Sequence, residues 1–443
     1  MPGPTVNAFI SDPILPKQVD VVVIGGGIIG AMTALELAER GLSVLICEKG
    51  IIGGEQSSRN WGWVRISQRD PREIPLMVEA IRIWEGLDVR IGRKTGYVQN
   101  GILFTARNER AVAQNQRWAE NLQPHQVASR IVTGGDLDAL MPGHRMNLKG
   151  GLLTSIDGRA EPQWVTPAIA EAARDAGAAV ITACAVRSVD LEGGRIAGVI
   201  TEKGRVKCSS VVLAGGAWSR LFAGNAGIWL PQLRVLNTVM RTTPVVGGPE
   251  VSVWSDGFSL RPREDGGYVV ATGTQNIVDI VPDSFRLALA FMPALVAEWR
   301  SLRFRISGRW REEAAQARSW RPDEVTPFEL CRTLDPEPTP RALRTAWAAA
   351  KRAFPVFEGA DVVQSWAGQI DVTPDAVPVI SPVDDLEGLF MATGFSGHGF
   401  GIAPGAGRLM ADLVTGAMPV VDPTDFRLSR FTDGSRVRIN KGY

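Results

Sequence analysis

The stretch Asp20–Glu48, DVVVIGGGIIGAMTALELAERGLSVLICE, decides the fold. Asp20–Ile24 is a short apolar run suited to a buried parallel strand, and it enters Gly25-x-Gly27-x-x-Gly30 without a loop. Such an order predicts a strand-to-helix turn. Gly25 permits the tight turn, Gly27 removes a Cβ that would block a pyrophosphate, and Gly30 lets the helix lie close to the strand. Ile28, Met32, Leu35 and Ala38 then recur on one helical face, and Gly41 supplies a stop. A second apolar run, Ser43–Cys47, delivers Glu48 at the distance where a carboxylate accepts hydrogen bonds from an adenosine ribose. The whole unit predicts dinucleotide binding, and the acid favours a ribose without a 2′-phosphate. FAD and NAD both satisfy it.

A chain of 443 residues exceeds one ordinary core, so two domains are expected. Hydrophobic content of 45% with 21% charged residues excludes a disordered chain, and a net charge of +1 gives no overall pull toward nucleic acid or membrane. Cys47, Cys184, Cys208 and Cys331 are scattered and form no CxxC, which suits buried thiols in a reducing compartment better than disulfides or a metal site. The start, MPGPTVNAFISDPILPKQ, lacks the basic and apolar segments of a secretory signal. The uncharged run Leu287–Ala297 is too short to span a bilayer and contains Pro293, so no transmembrane helix and a cytoplasmic location are expected.

Beyond Glu48, Gly53–Arg65 is first small and polar, then aromatic and basic, a loop able to wrap a phosphate and bring Arg59 or Arg65 to a negative group. Arg72–Ile91 reads as a helix with Ile74, Met77, Ile81, Trp84 and Leu87 on a core-facing stripe. Gly96–Ala106 alternates as a strand, and Asn108–Leu122 is a charged helix. After the Gln163–Gly177 helix come strands at Ala178–Ala183, Val186–Leu191, Arg195–Thr201 and Val206–Ala214, the last ending in Gly215-Gly216-Ala217-Trp218. That second strand-to-glycine turn predicts a discontinuous nucleotide domain. Pro231–Gly273 is rich in strands, with Asp265-Gly266-Gly267 as a hairpin turn, and suits an antiparallel sheet. Asp283–Arg305 reads as helix broken at Pro293; Arg300, Arg303, Arg305, Arg309 and Arg311 read as a solvated edge rather than a nucleic-acid or membrane surface. Near the end, the strand Leu389–Thr393, the loop Gly394-Phe395-Ser396-Gly397-His398-Gly399-Phe400-Gly401 and the helix Pro404–Leu413 place a helix N-terminus where it can stabilise negative charge.

Taken together, VVVIGGGIIG with Glu48, VVLAGGAWS, Thr373-Pro374-Asp375 and GFSGHGFG resemble the FAD-dependent amine and amino-acid oxidoreductases of the D-amino-acid oxidase superfamily, near glycine oxidase and monomeric sarcosine oxidase. The resemblance covers roughly the whole chain. It implies an α/β fold: a discontinuous Rossmann-like FAD domain of residues 18–90, 150–225 and 360–430, a substrate domain with an antiparallel sheet of residues 91–149 and 226–359, and terminal tails 1–17 and 431–443. Matched by position, Gly25, Gly27, Ile28, Ile29 and Gly30 take the pyrophosphate, and Glu48 with Lys49 lies at the ribose. Ser57, Ser58, Arg59 and Asn60 match the stretch wrapping the flavin side, Val186 the backbone contact to adenine, and Gly215 with Trp218 the second turn. Gly394, Ser396, Gly397, His398, Gly399 and Phe400 match the loop against the isoalloxazine.

There are three departures from the family pattern. Gly368 stands where sarcosine oxidases carry a flavin-linked cysteine, so non-covalent FAD is expected. Gly401 stands where they carry a carboxylate-binding lysine, and Gln369 and Ile370 stand where glycine oxidases place an arginine. Arg65 then matches the remaining carboxylate anchor, against a domain-edge salt bridge; Arg261 or Arg263 could assist it. The resemblance implies oxidation of a C–N bond in a small amino acid or carboxylate-bearing secondary amine, such as an N-substituted glycine or imino diacid. Hydride passes to flavin, the imine hydrolyses, and oxygen or an electron carrier takes the electrons. His398 would tune the flavin or help accept the amine proton. Two alternatives stand: an NAD-only dehydrogenase, and a flavoprotein subunit or RNA-modifying module acting with a partner.

Overall fold

Val21–Ile24, Val44–Cys47, Ser210–Leu213 and Leu389–Thr393 are apolar at almost every position and therefore need cover on both faces. In the computed structural model, which describes residues 3–273, 276–299 and 301–439, they form the middle of a six-stranded sheet. Its order is Val379–Pro382, Leu389–Thr393, Ser210–Leu213, Val21–Ile24, Val44–Cys47 and Ala179–Ile181, parallel throughout except at the first strand. Side chains alternate across the sheet. Val21 and Val23 join a core shared with the helices Ile28–Glu39, Ile74–Ile91, Pro162–Asp175 and Gly399–Thr415. Val22 and Ile24 join the opposite core, with Val186, Val199 and Val206 of a small three-stranded sheet. The stripe Ile74, Met77, Ile81, Trp84 and Leu87 is buried as expected, and Trp84 Nε1 donates to Gly401 O at 2.8 Å. Truncating such a tryptophan costs about 3–5 kcal/mol.

A second, ten-stranded sheet lies over the first and is centred on Leu233–Thr242, which pairs along its length with Val362–Val372. Most pairings are antiparallel. Two are parallel: Ser252–Ser255 with Ile102–Ala106, and Asn276–Asp279 with Leu302–Arg305. The Asp265-Gly266-Gly267 turn connects Phe258–Pro262 to Tyr268–Ala271, with Gly266 at φ +79°.

Four elements differ from their sequence reading. Val206–Ala214 is two strands, Gly204–Lys207 and Ser210–Leu213, because the chain passes here from the small sheet to the parallel one. In Asp283–Arg305 the helices Pro282–Arg286 and Ala288–Glu298 part at Leu287, Pro293 is accommodated inside the second, and Leu302–Arg305 is a strand. In Gly96–Ala106 only Ile102–Ala106 is a strand, and all five residues are buried. The last helix begins at Gly399, five residues before Pro404, so the last three residues of the expected loop, Gly399–Gly401, belong to its first turn. Arg300 of the arginine-rich stretch, and residues 1–2 and 440–443, lie outside the described residues. Residues 7–12 run against the nucleotide half, with Asn7 N donating to Gln163 O and Asp12 bonded in both directions to Val180. Among the described residues, no helix is long and apolar enough to cross a membrane.

Candidate active site

A cleft of about 720 Å³ runs between the two sheets. Its first end is built from backbone. Gly25 has φ +112°, and a Cβ there would lie 2.5 Å from Ala214 O; a Cβ on Gly30 would lie 2.0 Å from Gly25 O. Strand, helix and second glycine turn therefore meet at van der Waals distance, with the N-terminus of the Ile28–Glu39 helix facing the cleft. A Cβ on Gly27 would come within 3.1 Å of Ser57 Oγ, which accepts from Ile28 N at 2.9 Å. Glu48 accepts from Gly26 N and Gly50 N, both at 2.7 Å. Burial raises its pKa, while Lys49 and those two N–H groups act against the rise. A carboxylate has further lone pairs, so Glu48 can still accept from a sugar hydroxyl.

Cationic side chains around this end are already occupied. Lys49 Nζ donates to Glu55 Oε1, Cys331 O and Arg332 O at 2.7, 2.8 and 3.0 Å, which uses all three of its protons. Arg59 bridges Gly54 O, Ala367 O and Asp335. Asn60 closes its own turn by accepting from Gly62 N and donating to Ser57 O. These side chains set the shape of the wall.

The other end is aromatic and charged. Trp61, Trp63 and Trp254 line it; Trp61 meets Trp63 edge-on at 5.1 Å, and Phe104 behind them stacks on Trp254 at 5.7 Å. Arg65 and Arg69, both buried, line the same end, and the Arg65 guanidinium lies 5.8 Å over Phe104. Arg69 Nε donates to Arg65 O and Nη2 to His398 O, each at 3.0 Å, and Nη1 is 3.4 Å from Glu73. His398 Nδ1 lies 3.3 Å from Glu73 Oε2 without the alignment of a good hydrogen bond. Burial alone would raise the Glu73 carboxyl, but His398, Arg69 and Arg65 outweigh it and hold the pKa below its usual value. Burial, then Arg69, lowers the His398 pKa against the pull of Glu73. His398 is thus neutral near pH 7.

A profile of the DAO family, FAD dependent oxidoreductase, matches residues 20–413. The chain belongs to this family. It is 36% identical to the L-amino acid deaminase of Proteus myxofaciens, solved with anthranilate, over 97% of both chains with a TM-score of 0.94. It is also 27% identical to sarcosine oxidase subunit beta of Rhodobacter capsulatus, over 96% of this chain and 91% of that one. Glycine oxidase of Pseudomonas putida is 26% identical over 92% and 97%. This DAO-family enzyme oxidises an amine or amino acid with FAD, and the NAD-only alternative falls.

The cleft fits FAD. Its glycine cradle would be filled by any side chain, Glu48 stands beyond the second strand, and the volume lies in the range of cofactor sites. Of the residues matched to the cofactor, all but Gly30, Ser58 and Gly394 line the cleft. Gly30 packs helix on strand, Ser58 is fully buried under its own helix turn, and Gly394 N donates to Asp371 Oδ2 at 2.8 Å. Arg65 and His398 come together at the aromatic end. Arg263 does not line the cleft: it pairs with Asp265 at 3.1 Å and lies 3.6 Å from Glu161, and Arg261 is bound to Glu161 at 2.7 Å with both groups buried. At Gly401 a Cβ would meet Trp63 O and Val64 Cα at 3.1 Å, so the strand leading to Arg65 fills the place of a longer side chain. The sequence reading missed Arg69, Glu73, Trp254 and Asp371. Arg69 and Glu73 carried a signal, since they follow Arg65 at helical spacing; Trp254 and Asp371 carried none.

Proposed function

We propose that the enzyme oxidises the C–N bond of an amino acid or secondary amine bearing both a carboxylate and an apolar group. One observation carries this reading: Arg65, buried in the cleft, stands against the wall of Trp61, Trp63 and Trp254. A guanidinium matches a carboxylate with paired N–H donors, and the indoles take the apolar part. N-substituted glycines, imino diacids and α-amino acids share the carboxylate; the indole wall favours members with bulk.

FAD, when bound, would supply the acceptor for the hydride that leaves the carbon beside the amine nitrogen as C–N becomes C=N. Neutral His398, with Nδ1 buried against Glu73, is available to take the amine proton at Nε2. The N-terminus of the Gly399–Thr415 helix offers its dipole to negative charge at Gly397–Gly401. Gly368, with Arg59 Cβ 3.3 Å from its Cβ position, has no sulfur to offer, which supports non-covalent FAD. The nucleotide unit is proposed to comprise residues 18–90, 150–225 and 360–430, and oxygen or a carrier to re-oxidise the flavin. Anaerobic visible spectra with a panel of α-amino acids and N-carboxymethyl amines test the reading. Bleaching by carboxylated, apolar members is expected; bleaching only by amines without a carboxylate would sink it. Flavin released into the supernatant by acid precipitation is expected, and flavin in the pellet would refute non-covalent binding.

A further inference from the structure

Asp157 lies outside the cleft, is fully buried, and has no part in the chemistry above. Its carboxylate nevertheless organises the turn that carries both cleft arginines. Oδ1 accepts from Ile66 N at 2.6 Å, and Oδ2 accepts from Ser67 Oγ and, at 3.4 Å, from Ser67 N. Ser67 O in turn accepts from Arg65 Nη1. Gln68 follows at φ +58°, a left-handed conformation that a glutamine adopts only when its surroundings enforce it. Arg69 N then bonds back to Ile66 O at 3.2 Å.

The anchor itself is fixed. Asp157 N donates to Thr154 O at 3.2 Å, Asp157 O accepts from Gly101 N at 2.8 Å, and the following Gly158–Arg159 pairs with Trp63–Val64. We propose that Asp157 is a positioning residue: its carboxylate, bonded to Ile66 and Ser67, holds the 65–69 turn so that Arg65 presents its guanidinium to the substrate carboxylate. The inference rests on Arg65 being that anchor.

Burial pushes the Asp157 pKa up to about 6, against the Ser67 hydroxyl, the Ile66 N–H and Arg65. The charged and titratable groups around it are Arg65, Tyr97 and, at the far end of the turn, Arg69 with Glu73 and His398. The sign of the pH effect separates positioning from plain electrostatics. A carboxylate acting only by its field repels an anionic ligand more as it ionises, so affinity would fall through pH 6. Protonation of His398 at low pH would likewise favour an anion at the acid end. A positioning carboxylate gives the reverse: affinity rises as Asp157 ionises and the turn tightens.

The experiment uses the holoenzyme with anthranilate as probe, its dissociation constant read from perturbation of the flavin spectrum between pH 5.5 and 8. Wild-type affinity is expected to rise through about pH 6. Asp157→Asn should weaken it about tenfold at pH 8 and flatten the profile with flavin content unchanged, and Ser67→Ala should weaken it about threefold, the range of coupling between contacting residues. If Asp157→Asn yields no folded protein, Ser67→Ala with the wild-type profile decides. Affinity that falls through pH 6, or a Ser67→Ala variant bound as tightly as wild type, overturns the proposal. Arg65→Gln separates the premises: unchanged anthranilate binding in that variant removes Arg65 as the anchor, whereas weakened binding there with no effect of Asp157→Asn overturns the positioning role alone.

Discussion

The nucleotide end is built from main-chain groups and from residues within 32 positions of one another in the chain: Gly25 to Ile28, Glu48 and Ser57. At the aromatic end, Arg65, Trp254 and His398 come from three separate parts of the chain, and the polar groups there depend on one another: Arg69 donates to His398 O, and Glu73 lies beside both Arg69 and the His398 ring. The first end leaves no room for a Cβ at Gly25 or Gly30, whereas the second depends on buried polar and charged side chains that hold one another. Substitutions at the two ends should therefore fail in different ways, one by losing the cofactor and the other by losing the substrate.

The largest effect is expected from Gly30→Ala. Its Cβ would sit 2.0 Å from Gly25 O, a backbone atom that cannot move without parting the helix from the strand. A loss exceeding about 4 kcal/mol, seen as protein without flavin or no folded protein, is expected. A yellow, stable Gly30→Ala variant would show that the glycine turn has slack, and the contrast between the ends would fail. Next comes Arg65→Ala. Removing a charged partner of a buried carboxylate costs about 2–3 kcal/mol, so the Michaelis constant should rise roughly fiftyfold while flavin content stays constant. Equal losses of flavin and substrate affinity would merge the two ends into one structural unit.

The same contrast explains what could be read from the chain. The turn at Gly25–Gly30 was legible because its constraint is local: a Cβ is excluded by atoms a few residues away, so the glycine spacing records the geometry. The buried stripe of Ile74–Ile91 was legible for the same reason, through helical periodicity. Trp254 was not, since its place in the cleft depends on Ser252–Ser255 pairing in parallel with Ile102–Ala106, a long-range register that no local pattern encodes. Arg263 just follows the Phe258–Pro262 strand, and its place away from the cleft was not legible because its sequence does not say which carboxylates it meets: Asp265 two residues on, at 3.1 Å, and Glu161, 102 positions away in the chain, at 3.6 Å. The start of the last helix at Gly399 was hidden by glycines that read as loop, although burial of Phe400, Ile402 and Ala403 against the parallel sheet holds them helical.

A smaller effect is expected at Glu48, where the cofactor end does depend on a side chain. Glu48→Gln keeps one acceptor oxygen but turns an NH2 group toward either Gly26 N or Gly50 N, leaving one N–H unpaired. An unpaired buried donor costs about 1–3 kcal/mol, so FAD should bind about tenfold more weakly, with the Michaelis constant of the reconstituted enzyme unchanged. A change confined to the Michaelis constant would place Glu48 with the substrate and blur the division.

Least of all is expected from Arg263→Ala, which tests the boundary of the substrate end. The guanidinium is bonded to Asp265, itself 45% exposed at a hairpin turn, and lies 3.6 Å from Glu161, whose charge is already met by Arg261 at 2.7 Å. Removal leaves no buried carboxylate unpaired, and a pair with one partner in solvent contributes about 0–1 kcal/mol. Melting temperature should therefore drop by no more than a few degrees, with both the Michaelis constant and the flavin content at wild-type values. If instead the Michaelis constant rose while stability held, Arg263 would have to turn from Glu161 into the cleft during binding, and the substrate end would extend onto the Phe258–Pro262 hairpin.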